Sequence, residues 1–202
     1  DEGIGQPILI GRSEIIQKKV QELGLHFTPQ IVDPASDYRA AKYAQAFYEL
    51  RQRRGLTLSQ AQQRTHESNI FGMLMVQQGD ADACVSGLTY EYPEVIRPAL
   101  QIFHTRSGIN KAAGAYLVIA KNNVYIFTDA TVNIDPSSED LAEIALLAAD
   151  LAEKLNLKPR VALVSFSNFG SAPHPLSNKV RCAVELRFGS ARSVRRRVLA
   201  RL

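Results

Sequence analysis

The sequence predicts an α/β fold built on a mainly parallel sheet. Short apolar runs without polar alternation suit strands covered on both faces. They alternate along the chain with segments whose apolar residues recur at helical spacing. One closely spaced pair of β-rich runs adds an antiparallel hairpin.

Pro7-Ile8-Leu9-Ile10, ending at Gly11, reads as the first buried strand. Ser13 is the expected N-cap of a helix carrying Ile16, Val20 and Leu23 before Gly24. Ile31-Val32 before Asp33-Pro34 reads as a second strand. Asp37 is placed to cap a helix through Ala41, Ala44, Tyr48 and Arg51, stopping at Gly55. Thr57 to Arg64 and Asn69 to Gln78 read as two further helices. Ala81-Asp82-Ala83-Cys84-Val85 is strand-like, which makes Cys84 a small core residue. Pro93 suits the first turn of a helix with Val95, Ile96, Leu100 and Phe103. The runs 115–120 and 124–128 form the hairpin, with Asn122 and Asn123 able to take positive φ in its turn. Ser137 or Ser138 begins a helix with Glu139 and Asp140 in its first turn, where acids favour the helix dipole. Residues 161–166 read as a continuous apolar strand and 176–186 as a final helix. Lobe limits are expected near Gly79 and Pro136, giving 1–79 with 137–186 as one lobe and 80–136 as the other.

The 202 residues are 46% hydrophobic and 22% charged, which excludes wholesale disorder and leaves ample material for a core. No apolar run is long enough to span a membrane, so no membrane partner is expected. Asp1-Glu2-Gly3 does not begin a secretory leader, and Cys84 and Cys182 lack metal-site spacing, so a reduced cytoplasmic setting is expected. The net charge is +4, yet six arginines fall between Arg187 and Leu202 with no acid among them. Removing those six from the 24 basic residues leaves 18 against 20 acidic ones, a net of −2. The body therefore has no excess charge for a phosphate backbone, and no nucleic-acid partner is expected. The alternative, a nucleic-acid binder acting through a basic helix at 187–202, lacks an aromatic stacking platform.

Walker A, GxGxxG and GxSxG signatures are absent, and His26, His66, His104 and His174 show no ligand pairing, so no metal is expected. Four small or polar loops follow strand-like runs: 11–13, 86–89, 128–136 and 165–175. Their hydroxyls, backbone N–H groups and adjoining helix N-termini suit an anion such as phosphate. The same residue types are also ordinary turn chemistry.

The stretch Ser86-Gly87-Leu88-Thr89-Tyr90-Glu91-Tyr92-Pro93-Glu94-Val95-Ile96-Arg97-Pro98-Ala99-Leu100-Gln101 resembles the phosphate acetyl/butyryl transferase family. So do Gly79-Asp80-Ala81-Asp82-Ala83, the run from Thr128 through Asn133-Ile134 to Pro136, and Ser165-Phe166-Ser167-Asn168-Phe169-Gly170-Ser171. The resemblance runs from about residue 3 to 186 and is nearest to the phosphotransacetylase-like domain that ends bacterial hybrid NADP-dependent malic enzymes. It implies a three-layer αβα fold like that of isocitrate and isopropylmalate dehydrogenases, in two lobes around a cleft. It implies exchange of an acyl group between coenzyme A and phosphate, with coenzyme A or acetyl-CoA as substrate or effector and no tightly bound cofactor. Arg97 matches a cationic residue of the family, and Arg51 competes with Arg53 and Arg54 for a second. Ser86, Gly87, Thr89, Asn133, Ser167, Gly170 and Ser171 would contact coenzyme A or phosphate. An upstream malic-enzyme domain and a homo-oligomer would accompany the domain in the intact protein.

Two departures shape the functional expectation. Active family members carry threonine and lysine where this loop has Asn168-Phe169, so a phosphate-attracting charge is replaced by a phenyl ring. The segment expected to hold the family's catalytic base has no match after Leu186, so the domain reads as truncated at both ends, with 187–202 a non-matching tail. The leading expectation is thus a regulatory acetyl-CoA-binding domain without acyltransferase activity. The alternative is an active phosphate acetyltransferase.

Overall fold

The structure, a computed structural model, describes residues 5–167 and 171–188. It is a mixed α/β fold whose contacts divide the chain into two compact units, Asp1–His104 and Thr105–Leu202. That division differs from the lobe limits expected near Gly79 and Pro136.

In the first unit, β1 (Ile8–Ile10) pairs in parallel with β2 (Gln30–Val32), in the register Leu9 to Ile31. The crossover is α1 (Ser13–Glu22), so the expected first strand–helix–strand unit forms. Arg12 rather than Ser13 is its N-cap residue, and no side chain caps it. Gly24 takes φ +60 and donates its N–H to the Gln21 carbonyl, ending the helix where a Cβ would be strained. Four helices follow: α2 (Ala40–Arg51), α3 (Leu58–Thr65), α4 (Ser68–Gln77) and α5 (Tyr92–Ile102). Asp37 does not sit at the N-cap of α2. Its carboxylate instead forks onto the Arg39 guanidinium, with two 2.8 Å contacts, and accepts the Arg39 N–H. α3 begins with a capping box, Thr57 accepting from the Gln60 N–H and Gln60 accepting from the Thr57 N–H.

α4 forms the centre of this unit. Asn69 through Met75 are all buried, and Ile70, Phe71, Leu74 and Met75 pack with Tyr43, Phe47, Ala61, Ile102 and Val32. A helix apolar all round must lie inside, which explains why its neighbours surround it. Gly72 is where it is approached most closely: a Cβ there would stand 2.9 Å from Ile10 Cδ1 and 3.1 Å from Cys84 Sγ. α5 contains Pro98, which has no N–H for the Glu94 carbonyl one turn earlier. The buried Asn69 side chain donates its amide to that carbonyl at 2.9 Å, joining α4 to α5.

In the second unit, β3 (Ala115–Ala120) and β4 (Asn123–Thr128) form the expected antiparallel hairpin. The turn is shorter than read, since Ala120 pairs with Asn123, and the positive φ falls on Lys121 rather than on an asparagine. α6 (Ser138–Lys154) is capped by Ser137, whose hydroxyl accepts the Asp140 N–H, and α7 (Pro175–Phe188) packs along it. Ala142, Ala145, Leu163, Val180 and Ala183 form its core.

Two apolar runs depart from expectation. Residues 81–85 and 161–166 carry no strand pairing, and Val85, Val164 and Phe166 are exposed. Cys84 is exposed as a residue, not a core side chain, although its thiol lies toward Gly72. A strand exists only where its N–H and C=O groups meet a neighbour's, and among the described residues neither run has one. Among the described residues, parallel pairing is confined to β1 and β2. Among the described residues no helix is long and apolar enough to cross a membrane, and no cluster of His, Cys, Asp and Glu could hold a metal.

Candidate functional site

The first unit contains a groove of about 380 Å³ where the end of α2 meets α3 and α5. Its walls are basic and amide-rich. Arg51 closes α2, Arg54 follows in the next turn, and Arg64 comes from α3. Gln60 and Gln63 share one face of α3, Glu67 is the N-cap residue of α4, and Gln101 comes from α5. Gly55 turns the chain between Arg54 and Leu56 at φ +88, a conformation suited to glycine.

Arg64 is held by three neighbours. Its guanidinium lies 5.3 Å from the Phe47 ring centroid, donates to Gln101 Oε1 at 3.3 Å, and approaches Glu67 Oε1 at 3.8 Å. The Glu67 pairing is solvent-exposed and weak, about 0–1 kcal/mol. Three permanently charged guanidiniums against one carboxylate make a site for an anion with several oxygens, which arginine forks grip in pairs.

Of the three arginines competing at the end of α2, Arg51 and Arg54 line this groove and Arg53 does not. Arg97 is exposed on α5, one turn before Gln101, and is not a wall residue of the groove. Ser86 and Thr89 are exposed in the segment between α4 and α5, where Gly87 has φ +139 and its carbonyl accepts the Tyr90 N–H. In the second unit Asn133 is half-buried and donates to the Ala112 carbonyl at 3.2 Å. Ser167 is buried, with its hydroxyl accepting the Ala172 N–H, whereas Ser171 is exposed. Gly170, like Asn168 and Phe169, lies outside the described residues. The structure thus brings Arg51 together with Arg54 and Arg64, and gives Asn133 and Ser167 local bonds of their own.

The family profile described as phosphate acetyl/butaryl transferase matches residues 1–193. The chain belongs to the phosphate acetyl/butyryl transferase family. The match passes the limit at 186 read from the motifs. A phosphate acetyltransferase of Thermoanaerobacterium thermosaccharolyticum is 37% identical over 192 residues, covering 92% of this chain and 58% of that protein. The NADP-dependent malic enzyme of Escherichia coli is 38% identical over 190 residues, covering 91% of this chain and 25% of that protein. A phosphotransacetylase structure from Streptococcus pyogenes superposes with a TM-score of 0.84 at 35% identity, covering 93% of this chain and 58% of that one. One from Staphylococcus aureus gives 0.79 at 35% identity, covering 91% and 56%. The chain therefore spans little more than half the length of these transferases and a quarter of the malic enzyme.

This phosphotransacetylase-like domain contains groove residues that sequence reasoning missed. Gln60, Gln63 and Arg64 follow the 0, 3, 4 spacing of one face of α3, and Glu67 stands at the start of α4. A polar stripe of that kind reads as a solvated face until the α2 and α5 walls are known.

Proposed function

We propose that the basic groove binds the phosphate-bearing part of coenzyme A or acetyl-CoA, and that the domain serves acyl transfer between coenzyme A and phosphate. The observation carrying this reading is the convergence of Arg51, Arg54 and Arg64 on one groove in a family member. In the reaction, the coenzyme A sulfur attacks the carbonyl carbon of an acyl phosphate. A C–S bond forms, the C–O bond to phosphate breaks, inorganic phosphate leaves, and the thiol proton passes to a base. Fixed guanidiniums hold phosphate oxygens in place and favour the charge that develops on them. Arg97, Ser86, Gly87 and Thr89 would supply further contacts from the segment and helix after α4. Asn133, Ser167, Gly170 and Ser171 are proposed as ligand-contacting residues on their motif resemblance alone. A cytoplasmic location and a homo-oligomeric intact protein accompany this reading.

The second reading is regulatory: acetyl-CoA binds without turnover and biases an attached malic-enzyme domain. The Phe169 position favours it, because a phenyl ring cannot attract phosphate. A coupled assay of acetyl-CoA formation from acetyl phosphate, run beside calorimetric titration with coenzyme A, separates the two. Turnover supports transfer, binding without turnover supports regulation, and absence of binding removes both.

A further inference from the structure

Residues 81–90 carry Ser86, Gly87 and Thr89 but form neither helix nor strand. Val85 and Leu88 are essentially fully exposed, so apolar packing does not fix the segment's middle. Its position depends on its ends. The far end runs into the α5 capping box, where Glu94 accepts the Glu91 N–H at 2.8 Å. The near end begins at Asp80, just after Gly79 turns the chain at φ +79.

Asp80 receives a hydrogen bond from inside the unit. Tyr43 of α2 is fully buried, its ring meets Phe71 edge-on at 5.0 Å, and its hydroxyl donates to Asp80 Oδ2 at 2.5 Å. The Asp80 N–H donates to the Met75 carbonyl at 2.8 Å, so backbone and side chain are both held. A second seat follows within a few residues. The Cys84 thiol rests on Gly72, where even a methyl group would crowd it. Both points rest on the buried core that α2 and α4 share, and they lie on the stretch leading directly into Ser86.

We propose that Tyr43 is a positioning residue for residues 81–90: its hydrogen bond to Asp80, with the seating of Cys84 on Gly72, sets the geometry in which Ser86, Gly87 and Thr89 meet the ligand. This inference rests on the reading that coenzyme A or phosphate binds this domain. Tyr43 acts through Asp80 and touches no reacting atom.

The test is hydrogen exchange on the 202-residue chain, paired with calorimetric titration by coenzyme A. Tyr43→Phe keeps the ring on Phe71 and removes only the hydroxyl. The Asp80 and Tyr90 amides, which donate to the Met75 and Gly87 carbonyls at the two ends of the segment, should then exchange about tenfold faster, the factor a net hydrogen bond to a charged group is worth. Those of α4 should be unchanged, and coenzyme A should bind several-fold more weakly. Asp80→Ala should reproduce both effects, and adding Tyr43→Phe to it should change little further. Asp80→Asn, which keeps an acceptor oxygen, should restore much of the protection. Unchanged exchange of the Asp80 and Tyr90 amides in Tyr43→Phe, with intact binding, would overturn the positioning role alone. Equal acceleration across α2, α4 and these two amides would overturn it too, since that is general destabilisation. Failure of the unsubstituted chain to bind coenzyme A would overturn the ligand reading, and with it the positioning role.

Discussion

Arg51, Arg53 and Arg54 lie within one turn of chain, yet Arg51 and Arg54 face the groove while Arg53 does not. Replacing Arg51 or Arg64 by alanine should therefore raise the coenzyme A Kd about tenfold, the loss of one charge-assisted contact to phosphate. Arg53→Ala should stay within about twofold, and calorimetric titration of all three variants checks the pattern. The family resemblance covers the segment of Arg51, Arg53 and Arg54 without choosing among them. Arg64 is not legible in the sequence, because its meaning depends on Phe47, Gln101 and the end of α2 surrounding it. A pH effect also belongs to this scale. The Arg39 guanidinium holds the Asp37 carboxyl below the usual carboxylate range. Its stabilisation is present above the unfolded carboxylate value and is lost as pH falls through the lower folded value. Asp37→Asn should cost about 2 kcal/mol at neutral pH and progressively less in acid, measured by urea unfolding across that range.

Helices were more legible than strands for a physical reason. α3 and α6 satisfy their backbone groups internally and announce themselves through Thr57/Gln60 and Ser137/Asp140. The runs 81–85 and 161–166 have equally strand-like composition, but a strand needs a partner that composition cannot show. The join between α4 and α5 is likewise a tertiary fact. Pro98 frees the Glu94 carbonyl and Asn69 supplies the missing donor. Asn69→Ala should lower unfolding stability by about 1–2 kcal/mol, whereas the exposed Gln62→Ala should be near neutral. Gly72→Ala should cost about 1–3 kcal/mol, because the added methyl meets Ile10 and Cys84 in a packed interior. Denaturant midpoints of these variants decide both points.

The two units have cores of different quality, and stability should follow that difference. The first is organised on α4 and buries Tyr43, Phe47, Ile70, Phe71, Leu74, Met75 and Ile102. The second relies on Ala142, Ala145 and Ala183 beside Leu163 and Val180. An alanine removes far less apolar area from water than a phenylalanine or leucine, so the second core yields less transfer free energy per residue. The alternation of apolar runs with helically spaced segments made the α/β class legible, but it could not show this imbalance, which follows from which side chains meet. Hydrogen exchange at rising urea should therefore find amides of α6 and α7 opening while those of α4 remain protected. Loss of protection in both units at one urea concentration would count against separate cores. Earlier opening of α4 would reverse their order. The groove should track the first unit, since Arg51 and Arg64 leave helices that pack on α4. Coenzyme A, if it occupies that groove, should slow exchange in α2 and α3 by mass action before it affects α6.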